Sequence, residues 1–290
     1  MYRNITIVGV GLIGGSIGLA ARRAFPGIEI TGVDAPAVLA DAIRLGAIDQ
    51  GAVSVQAGWS GADLVILART VEMILQDLGN LPKSAPGPAV VIDVGSTKGE
   101  ICRTAWSIRS RQWRFVGGHP MAGSEKRGVE NARADLFRGR PFLLCPEPGL
   151  PEPDRVDLEK FLGGMGARCR ILEPGVHDFI VSAVSHLPQL VVLALASVLA
   201  GVSGKRPDLA GFSGPALREM LRIAASDFAV WQGICATNGA EIQERMTEMI
   251  ETLEELRDRF DTPALESVFR NGNLLAGMWR DEEDGKGEAD

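Results

Sequence analysis

The stretch VGVGLIGGSIG, residues 8–18, constrains this chain more than any other. It follows a short apolar run and opens onto a helical pattern, with Gly9, Gly11 and Gly14 in Gly-x-Gly-x-x-Gly spacing. Gly9 allows a tight turn, Gly11 lets the backbone approach a pyrophosphate, and Gly14 lets the helix pack closely on its strand. With Leu12 and Ile13 between them, these residues form the start of a helix whose free N–H groups and positive dipole end suit phosphates. A second apolar run, 28–33, ends in Asp34, about twenty residues after the last glycine, where an acid bonds ribose hydroxyls and repels a 2′-phosphate. Strand, spacing and acid together predict a dinucleotide-binding α/β domain of the Rossmann type that prefers NAD to NADP.

The rest of the first half agrees with a parallel sheet covered on both faces. Apolar runs at 5–8, 28–33, 64–68, 90–94, 115–116, 142–144 and 169–172 read as strands, separated by amphipathic segments such as 37–45, 71–78, 98–108 and 156–165. After Glu173-Pro174-Gly175 no further strand is evident. Helical spacing instead runs through 179–199, interrupted by Pro188, then 217–224, 228–236, 240–260 and 263–279. The expected organisation is an α/β nucleotide-binding domain over 1–174, an all-α domain over 175–280 and a disordered acidic tail over 281–290. The helix over 179–199 is apolar nearly all round and must be buried on every side, which predicts a homodimer through the helical domain.

Composition narrows the function classes. With 46% hydrophobic and 23% charged residues the chain is an ordinary globular protein. A net charge of -7 argues against nucleic acid, which calls for basic stripes. Cys102, Cys145, Cys169 and Cys235 lie far apart without a CxxC pair, so reduced thiols in a cytoplasm are expected, with no zinc site. The apolar run 5–21 is too short and too glycine-rich for a membrane span or a signal peptide, so neither membrane insertion nor export is expected.

The chain has only 3 histidines, and one stands in HPMAGSEK, residues 119–126, after an apparent strand end. An enzyme that oxidises an alcohol with a nicotinamide needs a base for the hydroxyl proton, and imidazole titrates near working pH. Catalytic groups of open α/β sheets collect at the carboxyl ends of strands, so His119 is the expected base. Ser96 and Thr97, in a second strand-end segment, each offer a hydroxyl that would orient the ring. His177, beside Asp178, reads most simply as a capping or surface residue.

DVGSTKGEI, GGHPMAGSEKRGVENARADLFRGRPFLLCP, HDFIVSAVSHLPQLV and LREMLRIAASDFAVW together resemble the prephenate/arogenate dehydrogenases of tyrosine biosynthesis, from residue 4 to about 260. The resemblance implies a small-molecule substrate, a Rossmann domain, a helical dimerisation domain and the oxidative decarboxylation of a cyclohexadienol by NAD. It implies His119 as base, Ser96 as the serine bonded to it, and Arg222 as the clamp on a substrate carboxylate. Ser185 and His186 match the motif lining the substrate pocket, and Ser124 and Glu125 belong to the HPxAGxE motif at its mouth.

Three positions depart from the family pattern. Gln189 stands where many members carry a histidine that reaches the substrate; Thr70 replaces a usual proline, leaving Arg69 near the cofactor unexplained; and Leu221 replaces a common threonine. Gln189 is thereby expected to influence the choice between prephenate and arogenate. The competing readings are a β-hydroxyacid-type dehydrogenase, which would need Lys205 as catalytic lysine, and a non-catalytic NAD sensor.

Overall fold

The computed structural model describes residues 1–59, 61–82, 90–109, 111–124, 126–260 and 263–284. Its centre is one eight-stranded sheet. The first six strands are β1 (Asn4–Val8), β2 (Glu29–Val33), β3 (Gln50–Ala52), β4 (Leu64–Leu67), β5 (Val90–Asp93) and β6 (Arg114–Pro120). They are followed by β7 (Pro141–Pro146) and β8 (Arg168–Ile171). The order is β3-β2-β1-β4-β5-β6-β7-β8, with every pairing parallel except β6 with β7. The sequence reading missed only β3, a three-residue edge strand holding a glycine and no β-branched residue.

Alternation along each strand divides the core between the two faces. Ile5, Ile7, Leu64, Ile66, Val90 and Ile92 point to one side, where Ile17 of α1 (Leu12–Ala24) and Phe161 of α6 (Glu152–Gly164) pack. Val8, Val65, Leu67 and Val91 point to the other, against Ile74 of α4 (Val71–Asn80) and Ile101 of α5 (Gly99–Ser107). Both faces being covered, the inner strands are apolar without interruption, as parallel strands must be.

Beyond the sheet, α7 (Pro174–Val181) leads through a π-helical turn, Ser182–His186, into α8 (Leu187–Ser203). Pro188 has no N–H to donate and its ring crowds the carbonyl four residues back, so the widened turn just before it relieves a conflict that a regular helix cannot. Among the described residues, Pro174–Ser203 is the one helical stretch long and apolar enough to cross a bilayer by length and composition. Its inward side, however, carries the buried polar groups His177, Asp178, Ser182, His186 and Gln189. α9 (Pro215–Ile223) and α10 (Phe228–Asp258) follow, and α10 is broken at Asn238, whose φ of -128° and ψ of 22° are not helical.

By packing, Met1–Ile242 is one compact unit and Gln243–Asp290 a second. Everything that bears on the site lies in the first. In the second, α11 (Pro263–Asp284) continues into the acidic segment expected to be disordered from 281, and residues 285–290 lie outside those described.

Candidate active site

The turn from β1 to α1 builds a phosphate cradle. Gly9 has φ of +92°, and a Cβ there would meet Ala68 O at 2.4 Å. A Cβ on Gly14 would meet Gly9 O at 2.0 Å, whereas one on Gly11 would meet nothing within 4 Å, so Gly11 faces open space. α1 begins with no side-chain cap and no acid in its first turn, so its N-terminal N–H groups remain available to an anion. Gly9, Gly11, Leu12, Ile13 and Asp34 line a cavity of about 660 Å3, which also reaches Ser96 and Ser124. Asp34 accepts hydrogen bonds from Val10 N at 2.8 Å and Ala35 N at 2.7 Å, which hold its carboxylate beside the glycine turn. Arg69 also lines this cavity and is paired with Asp77 at 3.2 Å.

All 3 histidines of the chain converge on one place. His119, near the end of β6, is 9% exposed, and its Nδ1 lies 2.9 Å from Nε2 of His177, which is fully buried. His177 Nδ1 is 2.8 Å from Asp178 Oδ1. Asp178 in turn accepts Lys98 N and Gly99 N, each at 2.7 Å, at the start of α5. Asn238, turned inward by the break in α10, donates to Asp178 O at 2.9 Å and lies 3.4 Å from His186 Nδ1. His186 packs edge-on against Trp231, and its Nε2 is buried without a partner. His119 Nε2 makes no hydrogen bond among the described residues, and the ring borders a second cavity of about 780 Å3.

Burial sets the electrostatics of this cluster. It holds His119 well below the ordinary imidazole range, helped by repulsion from His177, Lys98 and His186. Burial also lowers His177, against the opposing pull of Asp178, and lowers His186 to about 4. For Asp178 burial acts upward, but its bonds from His177, Lys98 N and Gly99 N outweigh it and leave the carboxyl below its usual value. Lys98 is itself fully buried and paired with Asp93, which also accepts Gly95 N and Gly118 N.

The second cavity is basic. Beside His119 it is lined by Ser185, Arg133, Arg138 and Arg140. Arg133 is paired with Asp135, while Arg138 and Arg140 have no acidic partner among the described residues. Both cavities include Ala122 and Gly123, so the glycine turn and His119 open onto the two sides of one short segment.

Other expected residues fall differently. Ser96 lines the cofactor-side cavity, and the structure has no hydrogen bond from it to His119, whose Nδ1 is taken by His177. The surface or capping role expected of His177 is wrong: the chain turns it inward from α7, under β6. Gln189 does not face either cavity. Its Nε2 donates to Ile223 O at 2.9 Å and its Oε1 accepts from Ser226 at 3.2 Å, tying α8 to the end of α9. Arg222 is half-exposed on α9 and bonds Glu219 of the same helix at 2.7 Å. Glu125 lies outside the described residues. Lys205, the residue a β-hydroxyacid reading needs, is exposed just after α8 and lines neither cavity.

Sequence reasoning missed Asp93, Lys98, Asp178 and Asn238. An acid ending an apolar strand and a lysine in the next loop were visible signals of a buried charge pair. Nothing local marks Asn238, because its role depends on a helix break.

Comparison with known proteins gives consistent relatives. Residues 17–171 match the model for "Prephenate dehydrogenase, nucleotide-binding domain", and residues 173–271 match "Prephenate dehydrogenase, dimerization domain". Prephenate dehydrogenase of Bacillus subtilis is 35% identical over 93% of this chain and 73% of its own. Prephenate dehydrogenase of Aquifex aeolicus, solved with hydroxyphenyl propionate and NAD+, is 28% identical with a TM-score of 0.79, covering 99% of this chain and 98% of that one. Arogenate dehydrogenase of Synechocystis is 25% identical with a TM-score of 0.78, over 95% and 99%.

Proposed function

The chain belongs to the prephenate dehydrogenase family, and from that premise we propose that it catalyses NAD-dependent oxidative decarboxylation of prephenate, arogenate or both, with His119 as the base. It is a dehydrogenase with NAD as its cofactor. The observation that carries the reading is the meeting of the two cavities at Ala122–Gly123, which sets a nucleotide cradle beside a histidine with a bare ring nitrogen.

The residues fit the cofactor. The uncapped start of α1 and the open face of Gly11 suit the pyrophosphate, and Asp34 suits the ribose hydroxyls. NAD, when bound, would supply the acceptor for the hydride that leaves C4 of the ring. His119 Nε2 accepts the 4-hydroxyl proton as that hydride leaves, which converts the carbinol to a dienone. The ring carboxylate then departs as CO2, its bonding electron pair completes the aromatic ring, and the proton held on His119 returns to the phenolate oxygen. Charge on the substrate carboxylates calls for cations. Arg222 is the clamp that the family resemblance implies, reached by exchanging Glu219 for the substrate, and Arg138 and Arg140 add positive potential around the cavity.

The protein works as a homodimer in the cytoplasm. Val184, Leu193, Val198 and Val202 are exposed apolar residues on the segment that matches the dimerization domain, and a second subunit covers such a surface.

The test is an NADH absorbance assay with prephenate and arogenate side by side, on the unmodified protein and on His119→Asn. Loss of the base should cost roughly 10²–10⁴-fold in kcat and leave NAD+ binding intact. A variant with nearly normal kcat removes His119 from the mechanism, and an unmodified protein inactive on both substrates removes the reaction.

A further inference from the structure

Asp178 is the fixed end of a hydrogen-bonded line that runs to the base. Its Oδ1 accepts Lys98 N and its Oδ2 accepts Gly99 N, and it stays ionised, so it has only acceptors to offer His177. Nδ1 of His177 therefore carries the hydrogen of the 2.8 Å bond to Asp178. His177 is kept neutral by burial, so its Nε2 is bare. A bare Nε2 facing His119 Nδ1 at 2.9 Å requires that Nδ1 be the donor. The remaining nitrogen of His119, Nε2, is then the one without a hydrogen, and it is the one without a bonding partner.

We infer that His177 and Asp178 are positioning residues for the reaction, a carboxylate–imidazole–imidazole chain that holds His119 in its Nδ1–H tautomer with Nε2 as proton acceptor. This rests on the reading of His119 as base. The same chain serves the charged state. When Nε2 of His119 takes the substrate proton, its Nδ1 hydrogen can move to His177 Nε2, leaving the positive charge on the ring that touches Asp178. No proton leaves the chain, because Asp178 is pinned by backbone donors, so the proton remains available for return through Nε2.

The surroundings explain why such a device is needed. From the loop after β5, Lys98 faces the cluster and opposes a second cation, although Asp93 balances it. From the π-helical turn, His186 adds a ring that burial keeps neutral. Among the described residues, Asp178 is the one carboxylate hydrogen-bonded to the histidine pair. Asn238, donating to Asp178 O, and Thr97, bonded to Thr237 at 2.7 Å, join α7 and the loop after β5 to α10.

With only 3 histidines in the chain, ¹⁵N-histidine labelling of the full-length protein gives a spectrum of three rings. Assignment uses His119→Asn and His177→Gln. At neutral pH without cofactor, both His119 and His177 should appear as Nδ1–H tautomers, the reverse of the preference of free imidazole. A hydrogen on Nε2 of His119 would overturn the proposal. Kinetics supply the second arm. Asp178→Asn removes the negative charge and keeps an acceptor, so kcat should fall roughly 10- to 100-fold and the acid limb of kcat/KM should move to lower pH. A fall in kcat with an unmoved acid limb would reduce Asp178 to a structural role and overturn the proposal. His177→Gln, which keeps an acceptor for His119, should retain more activity than His177→Leu. Equal losses also count against the chain. If His119→Asn stays active, the assignment of the base fails, but the tautomers are still read independently of it.

Discussion

Gln189 Nε2 donates to the carbonyl of Ile223 across 2.9 Å, joining α8 to the last turn of α9. Ile223 stands at the end of its helix, where carbonyls have no partner within the helix, and the buried amide of Gln189 supplies one. Both polar ends of the side chain are used this way. The residue expected to read the substrate thus holds two helices together.

Gln189→Leu should therefore act on stability. Ser226 Oγ, 3.0 Å from Ile223 O, still donates to that carbonyl, so the loss of the Gln189 hydrogen bonds costs about 0.5–1.5 kcal/mol, visible as a lower midpoint in urea unfolding. The ratio of kcat/KM for prephenate and arogenate should stay within about twofold of the unmodified value. A ratio that moves tenfold with no change in midpoint would return the side chain to the substrate.

The pH profile follows from burial of the histidines. His119 refuses a proton until the pH is well below 6.5, so the acid limb of kcat/KM should lie below that value. Folding stability has the same sign. Each unfolded histidine binds a proton near pH 6.5 that its folded counterpart rejects, so stability is complete above that pH and is lost as pH falls towards about 4, the folded value of His186. Urea midpoints at pH 7.5 and pH 5 check this. An equal or higher midpoint at the lower pH would show that the three rings are not buried neutral.

Arg222 and the cavity arginines should separate by size of effect. Arg222→Ala should raise KM for substrate by roughly tenfold or more, since a hydrogen bond to a charged group is worth about 1.5–3 kcal/mol. Glu219→Gln, which removes the competing carboxylate, should lower KM or leave it unchanged. Arg138→Ala and Arg140→Ala, both at exposed positions, should each raise KM only about two- to fivefold, and that effect should fade in high salt. Steady-state kinetics at two ionic strengths distinguish them. A larger effect at Arg138 than at Arg222 would reverse the assignment.

Asp34 should decide the cofactor. Asp34→Ser removes a charged acceptor for the ribose, and kcat/KM for NAD+ should drop roughly 10- to 100-fold while that for NADP+ rises. Asp34 also accepts Val10 N, so part of the loss should appear with both cofactors. Equal kcat/KM for NAD+ and NADP+ in the unmodified protein would show that the carboxylate does not meet the ribose.

The local features of this chain were legible because each is written in neighbouring residues. A Gly-x-Gly-x-x-Gly turn between an apolar run and a helix demands one backbone shape, whatever lies elsewhere. Alternation and apolar continuity likewise located seven of the eight strands, and the helical period located the segments after residue 175. His119 could be singled out because a strand end and a polar, glycine-containing motif surround it. Its partners could not. His177 and Asp178 lie 58 and 59 positions away, and they reach it only because α7 packs against α5 and β7. Asn238 joins them through a break in α10, and Gln189 is withdrawn by the end of α9. Local geometry follows from a few adjacent dihedrals, whereas the tautomer of a base and the satisfaction of a buried amide depend on which distant groups the fold brings within 3 Å. That pairing is a property of the packed chain, and only the tertiary structure decided it.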